Sequence, residues 1–146
     1  MGALEGIRVL DLSRVLAGPL ATQMLADIGA DVVKVEAPWG DDTRKWGPPF
    51  IDGDAAYYHA CNRGKRSILL DIKSESGRHT LRQLIAHADV IVENFKAGTL
   101  ERMGLMTDIS DDKILCRITG YGQTGPRAEE PGYDLALQAM TGIMSV

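Results

Sequence analysis

Short apolar runs alternate with amphipathic stretches along most of the chain, and their spacing predicts a repeating β–α pattern. Ile7 to Leu12 (IRVLDL) is apolar and β-branched and reads as a first strand. Gly18-Pro19 opens a helical stretch, ATQMLADIG, with proline placed where its missing N–H would be unpaired anyway, and Gly29 marks its end. Asp31 to Glu36 (DVVKVE) reads as a second strand, Ser67 to Ile72 (SILLDI) as a third, Asp89 to Glu93 (DVIVE) as a fourth and Lys113 to Ile118 as a fifth. Leu81, Leu84 and Ile85 share one face of a helix predicted over Ser74 to Ala88. Asp54 to Ala60 is predicted as a shorter helix. Ala37 to Pro49, dense in Pro, Gly, Trp and charge, reads as a long loop, and long loops in compact domains tend to carry function.

Strands that are nearly continuous Val, Ile and Leu runs, alternating with helices, point to a sheet buried on both faces. The predicted fold is therefore α/β: a Rossmann-like, mostly parallel sheet with helices on both sides. The first strand leads into SRVLAGP rather than a Gly-x-Gly-x-x-Gly turn, so the usual dinucleotide fingerprint is absent. The closing stretch, PGYDLALQAMTGIMSV, has no charge after Asp134, and Leu137, Met140 and Met144 recur at helical spacing. It is predicted to be a core-facing helix that runs to the end without a glycine cap or a basic last turn.

Composition narrows the function. At 146 residues, 45% hydrophobic and 25% charged, the chain suits one globular domain, residues 1–146, with a real core. A formal net charge of −4 offers no basic field for nucleic acid or for an anionic membrane surface, so neither is an expected partner. No run approaches the roughly 20 apolar residues of a membrane span, and the N-terminus has neither a signal nor a transit pattern. Cys61 and Cys116 stand far apart with no CxxC, which argues for a reducing, cytoplasmic setting. His59, His79 and His87 share no ligand spacing with Cys or carboxylates, so no metal is expected.

In a parallel α/β sheet, ligands bind beyond the carboxyl ends of the strands. The segments after the five predicted strands carry Gly, amide or basic character there: SRVLAGP, EAPWGDDTR, LLDIK, ENFKAGTLERMG and TGYGQTGP. Each also has a plain reading. Lys73 and Arg102 fit solvated surface cations, Asn94-Phe95 a capping amide beside a core ring, TGYGQTGP a turn, and Asp134 an N-cap. Spacing and composition alone reach an α/β domain that binds a phosphate-bearing small molecule.

A resemblance extends this. LAGPLATQMLADIGADVVKVEAP, GDDTRKWGPP, NRGKRSILLDIKSESG, ADVIVENFKAGTLERMGL, ITGYGQTGP and PGYDLALQAMTGIMSV, in that order, resemble the N-terminal part of the class III CoA-transferases, the CaiB/BaiF family. That family includes formyl-CoA transferase and the α-methylacyl-CoA racemases. The match runs over essentially the whole chain; MTDISDDKILCR is shorter than the corresponding linker of relatives. The resemblance implies that Leu16, Ala17, Leu70, Asp71, Ile72, Lys73, Asn94, Phe95, Lys96, Arg102, Pro131, Gly132, Tyr133 and Asp134 line a coenzyme A site. Lys and Arg suit the phosphates of the coenzyme, and backbone amides with Phe95 suit its adenine and pantetheine. Leu16 stands where formyl-CoA transferase has an amide, which argues against an oxalate-like acyl group, and Ala37 stands where it has an arginine.

In the family the nucleophile is an aspartate of a Gly-Asp motif, some tens of residues beyond the Gly-Tyr-Asp segment, and it forms an aspartyl-CoA thioester. The resemblance thus implies an acyl-CoA transferase that moves CoA between carboxylic acids, with the nucleophile beyond Val146. It further implies an interlocked homodimer, and that these residues are a fragment lacking the small domain and the C-terminal segment. Racemases carry a histidine where Tyr133 stands, and a phenol titrating near ~10 is poorly matched to proton exchange at neutral pH. A racemase-like enzyme and a non-catalytic CoA- or nucleotide-binding remnant are the other two readings.

Overall fold

The computed structural model describes residues 2–146. In chain order the elements are β1 (Arg8–Asp11), α1 (Ala17–Asp27), β2 (Asp31–Glu36), β3 (Phe50–Ile51), β4 (Asp54–Ala55) and α2 (Ala56–Asn62). They continue with β5 (Arg66–Leu69), α3 (Glu75–His87), β6 (Val90–Glu93), α4 (Thr99–Arg102), β7 (Ile114–Arg117) and α5 (Asp134–Met140). Short 3-10 turns occur at Asp42–Lys45, Met106–Asp108 and Ile143–Ser145. Five strands form one sheet in the order β5-β2-β1-β6-β7, and every neighbouring pair is parallel. The α/β class and the Rossmann-like parallel sheet expected from the sequence are the ones found.

Strand pleating sorts the core into two layers. Val9 joins Val32 and Val92 on one face, under Leu25 and Ala26 of α1. Leu10 and Leu12 join Ile91 on the other face, where Leu81 and Ile85 of α3 cover them. With helices on both sides, few positions of β1, β2 or β6 face water, which is why their sequences read as unbroken apolar runs. Leu81, Ile85, Ile91, Leu100 and Leu105 have no exposed surface. Truncating such a residue to alanine costs about 2–5 kcal/mol.

Three differences from the expected elements have local causes. The third strand ends at Leu69 rather than Ile72. The Leu70 amide makes the last ladder bond, to the Glu36 carbonyl where β2 stops, and the Asp71 side chain then turns the chain by accepting the Lys73 amide at 3.0 Å. Ser74 caps α3 by accepting the Gly77 amide at 3.0 Å. Second, Phe50 to Ala55 forms a hairpin, β3 with β4, closed by Asp52-Gly53 with φ of 50° and 90°. The Asp-Gly dipeptide carries the signal for this turn, but its strands are too short to show a period.

Third, the closing helix is not core-facing. It stops at Met140, with Gly142 in the left-handed region beyond it, and Leu135, Met140, Ile143 and Met144 are exposed. Among the described residues none after Leu105 is buried, so this segment lies outside the core.

Candidate functional site

Strand order reverses at β1: the chain proceeds to β2 and β5 on one side and returns to β6 and β7 on the other. The loops after β1 and β6 therefore part at a switch point, the place where a parallel α/β sheet is expected to form its ligand crevice. Asn94, just past β6, bridges it. Its Oδ1 accepts the Arg14 amide at 2.8 Å and its Nδ2 donates to the Arg14 carbonyl at 2.7 Å. On the β1 side, Leu16 and Ala17 are exposed at the mouth and lead into α1, whose N-terminus has no side-chain cap. Gly18 lets that first turn lie against Ser13, since a Cβ there would come within 2.2 Å of the Ser13 Cβ.

Behind the mouth lies a set of buried charges. Asp11 accepts from the Ser13 amide at 2.9 Å, the Thr22 hydroxyl at 2.5 Å and Lys65 Nζ at 2.9 Å. Lys34 Nζ pairs with Asp41 at 3.0 Å and donates to the Ser13 carbonyl at 2.7 Å, with both side chains 1% exposed. Glu36 receives Arg44 at 2.8 and 2.7 Å, the Asp41 amide at 2.7 Å, the Tyr58 hydroxyl at 2.8 Å and the Ser67 hydroxyl. Burial by itself would raise the Glu36 carboxyl, but these bonds, led by Arg44, bring it down to about 2. Arg44 also stacks over the Tyr58 ring at 3.8 Å. Burial pushes the Lys65 ammonium down, with Asp11 opposing, and holds the Cys61 thiol up. Cys61 is thus an inert core thiol.

The residues implied by resemblance fall into distinct places. Leu16 and Ala17 after β1, and Asn94, Phe95 and Lys96 after β6, lie on the two loops that flank the switch point, although Phe95 also packs on the α3-side core. Leu70, Asp71, Ile72 and Lys73 lie past β5, beyond β2 from the crevice, with Leu70 and Ile72 against that same core. Arg102 ends α4, donates to the Ala97 carbonyl at 3.3 Å and to Thr99 Oγ1 at 2.9 Å, and lines a cavity of about 460 Å³ with Arg117 and Gln123. Pro131, Gly132, Tyr133 and Asp134 are exposed and lead into α5. Gly132 rests directly on Gly120, where a Cβ on Gly120 would sit 2.4 Å from the Gly132 Cα. The Tyr57 hydroxyl on α2 is raised chiefly by burial, then by Cys61, Asp134 and Asp41.

Sequence reasoning missed four participants. Arg14 is an exposed cation at the switch point, visible in SRVLAGP but not singled out. Like Lys73 and Lys96, it joins no ion pair among the described residues. Lys34 lay without comment inside the predicted strand DVVKVE, and Asp41 inside the predicted loop from Ala37 to Pro49. Gln123, whose Nε2 is buried without a partner, lay within TGYGQTGP but was not singled out.

The model of CoA-transferase family III matches residues 4–146. The chain belongs to CoA-transferase family III. A CAIB/BAIF family protein from Brucella suis has a solved structure with a TM-score of 0.93 and 53% identity, covering 99% of this family III chain and 40% of that one. A succinate–glutarate CoA-transferase of Agrobacterium fabrum is 55% identical over 98% of the chain and 38% of its own length. The human succinyl-CoA:glutarate CoA-transferase is 49% identical over 98% of the chain and 34% of its own. The family III chain thus spans about two fifths or less of the relatives it matches. A short chain dehydrogenase/reductase family protein, 16% identical with a TM-score of 0.51, shares the fold alone.

Proposed function

We propose that this chain is the coenzyme A-holding part of an acyl-CoA transferase that moves CoA between carboxylic acids. The observation that carries the reading is the family match, and it is supported by the switch point, which the loops bearing Leu16, Ala17, Asn94 and Lys96 flank. Arg14 and Lys96 supply unpaired positive charge for phosphate groups at that crevice, while Arg102, beside its own cavity, and Lys73, past β5, supply it farther along the strand ends for so long a ligand. The acyl group is a dicarboxylate of the size of succinate or glutarate, the acids for which the Agrobacterium and human relatives are named.

In the proposed chemistry a carboxylate attacks the thioester carbon and expels the CoA thiolate, leaving a mixed anhydride; the thiolate then attacks the enzyme's acyl carbon and releases the first acid. Asp11 does not suit the role of nucleophile, because it has no exposed surface and is tied to Lys65 and Thr22. Asp134 is committed to Gln138 Nε2 at 2.5 Å. The proposed position of the attacking aspartate, beyond Val146, rests on the resemblance to the family. The apolar side chains that α5 and the turn after it expose suit a homodimer, and the free thiols Cys61 and Cys116 suit a reducing cytoplasm.

The test is calorimetric titration of the chain with CoA. Binding is expected, and Arg102→Ala and Lys73→Ala should each weaken it about tenfold, since charge-assisted phosphate contacts contribute roughly 1.5–3 kcal/mol. Equal affinity in all three proteins removes both cations from the site. No binding by the unsubstituted chain overturns the reading.

A further inference from the structure

Among the described residues two that are not glycine have positive φ, Val15 at 69° and Asp52 at 50°. Asp52 belongs to the Asp-Gly turn of the hairpin, where that conformation is ordinary. Val15 has no such excuse. A β-branched residue in the left-handed region is a genuine outlier, and it persists only where its surroundings dictate it. Those surroundings are unusually complete. The Ser13 amide is held by Asp11 and the Ser13 carbonyl by Lys34. Both backbone groups of Arg14 are held by Asn94. The Val15 amide donates to Asp41 Oδ2 at 3.3 Å, and that oxygen is also the one paired with Lys34. Three residues are thus fixed by side chains from β1, β2, the loop after β2 and the loop after β6.

The next residue is Leu16, 43% exposed at the crevice mouth, and after it Ala17 begins α1. Reversal of the chain at Val15 sets the direction in which both leave the sheet. We infer that Asn94, Asp41 and Lys34 are positioning residues: they force Val15 into its left-handed conformation and so aim Leu16 and Ala17 at the bound acyl-CoA. The inference rests on the coenzyme A reading of the crevice. It gives Asn94 a role different from direct contact with the ligand, because Asn94 already spends its Oδ1 and one Nδ2 hydrogen on Arg14. The clamp opposes the intrinsic preference of Val15, so releasing one arm lets the bend relax and swings Leu16 away.

Glycine tolerates the left-handed region, which separates this role from the alternatives. Asn94→Ala is expected to weaken CoA binding to the chain about tenfold where Val15 is present. In a Val15→Gly background the same Asn94→Ala change is expected to weaken it only about twofold, because the bend then survives with fewer restraints. Hydrogen exchange across residues 13–17 is the companion measurement and needs no ligand: Asn94→Ala should accelerate it by tenfold or more. An equal loss of affinity in both backgrounds means that Asn94 contacts the ligand directly and overturns the inference. Unchanged exchange after Asn94→Ala overturns it as well, whether or not CoA binds. Absence of CoA binding by the unsubstituted chain, with exchange responding as expected, overturns the coenzyme A reading and the aim of the clamp while leaving the forced bend itself in place.

Discussion

The loops that follow β1 and β2 and the segment from Thr119 to Val146 both carry turn residues and opposite charges, yet they are built in opposite ways. In the first region the pairs Lys34–Asp41 and Lys65–Asp11 are 1% exposed or less, and Glu36 is sealed beneath Arg44. In the second, Arg127–Glu130 is 40% and 49% exposed, and Leu135 and Met140 face water. A buried ion pair adds little net stability over an apolar pair, but it penalises every arrangement that would leave one charge alone. A surface pair imposes almost no such penalty. The first region therefore dictates its own geometry. The second takes its shape mainly from the Gly120–Gly132 backbone contact and the short helix α5.

The largest effect that would test this contrast is expected for Lys34→Ala. It leaves Asp41 buried and uncompensated and should remove about 3–5 kcal/mol. The thermal midpoint should fall by roughly 10 °C or more. A midpoint within a degree of the unsubstituted chain would put the two regions on the same footing.

Acid offers a second and slightly smaller probe. Because Glu36 sits at about 2 against an ordinary 4.5, it stabilises the fold fully above that ordinary value and loses the contribution as pH falls toward 2. The loss amounts to about 3 kcal/mol. Urea midpoints of the natural chain and of Glu36→Gln should differ most near neutrality and converge on acidification. A constant difference across that range would contradict the assignment.

Next comes Gly120→Ala, whose Cβ would lie 2.4 Å from the Gly132 Cα, backbone against backbone. The cost should be about 1–3 kcal/mol, confined to the second region. Limited proteolysis should show faster cleavage after Thr119, while amide exchange in β1 and β6 stays put. The smallest effect is expected for Met140→Gln and Arg127→Ala, each within about 0.5 kcal/mol by chemical denaturation. A larger loss from either would show that the second region has a core of its own.

The sheet was largely legible in the sequence because strands covered on both faces must be apolar throughout, and Asp31–Glu36 appears with the bounds expected. The crevice was legible by position, since loops at strand ends carried the unusual residues. What was not legible is pairing across distance. Asn94 was picked out, but its partner Arg14 lies 80 residues away. Nor does a valine announce a left-handed backbone. Lys34 passed without comment inside DVVKVE, although a strand with both faces covered turns such a side chain inward, where it must find a carboxylate. The hairpin and α4 were missed because elements of two to four residues carry no period.

The parallel register of the central strand has a temporal consequence. Val9 pairs with Val32 on one edge and with Val90 on the other. Translation at about 5–20 residues per second separates Val9 from Val90 by roughly 4–16 s. For that interval β1 can zip to β2 alone, leaving its other edge and the side chains of Val9, Leu10 and Leu12 without their β6 partners. The nascent chain is therefore most prone to mispairing while α1, β2 and β5 are already made, and holdase chaperones should engage it then. Once Val90–Glu93 emerges the edge closes, and the Arg8–Asp89 ion pair at 2.7 Å fastens the end of the ladder.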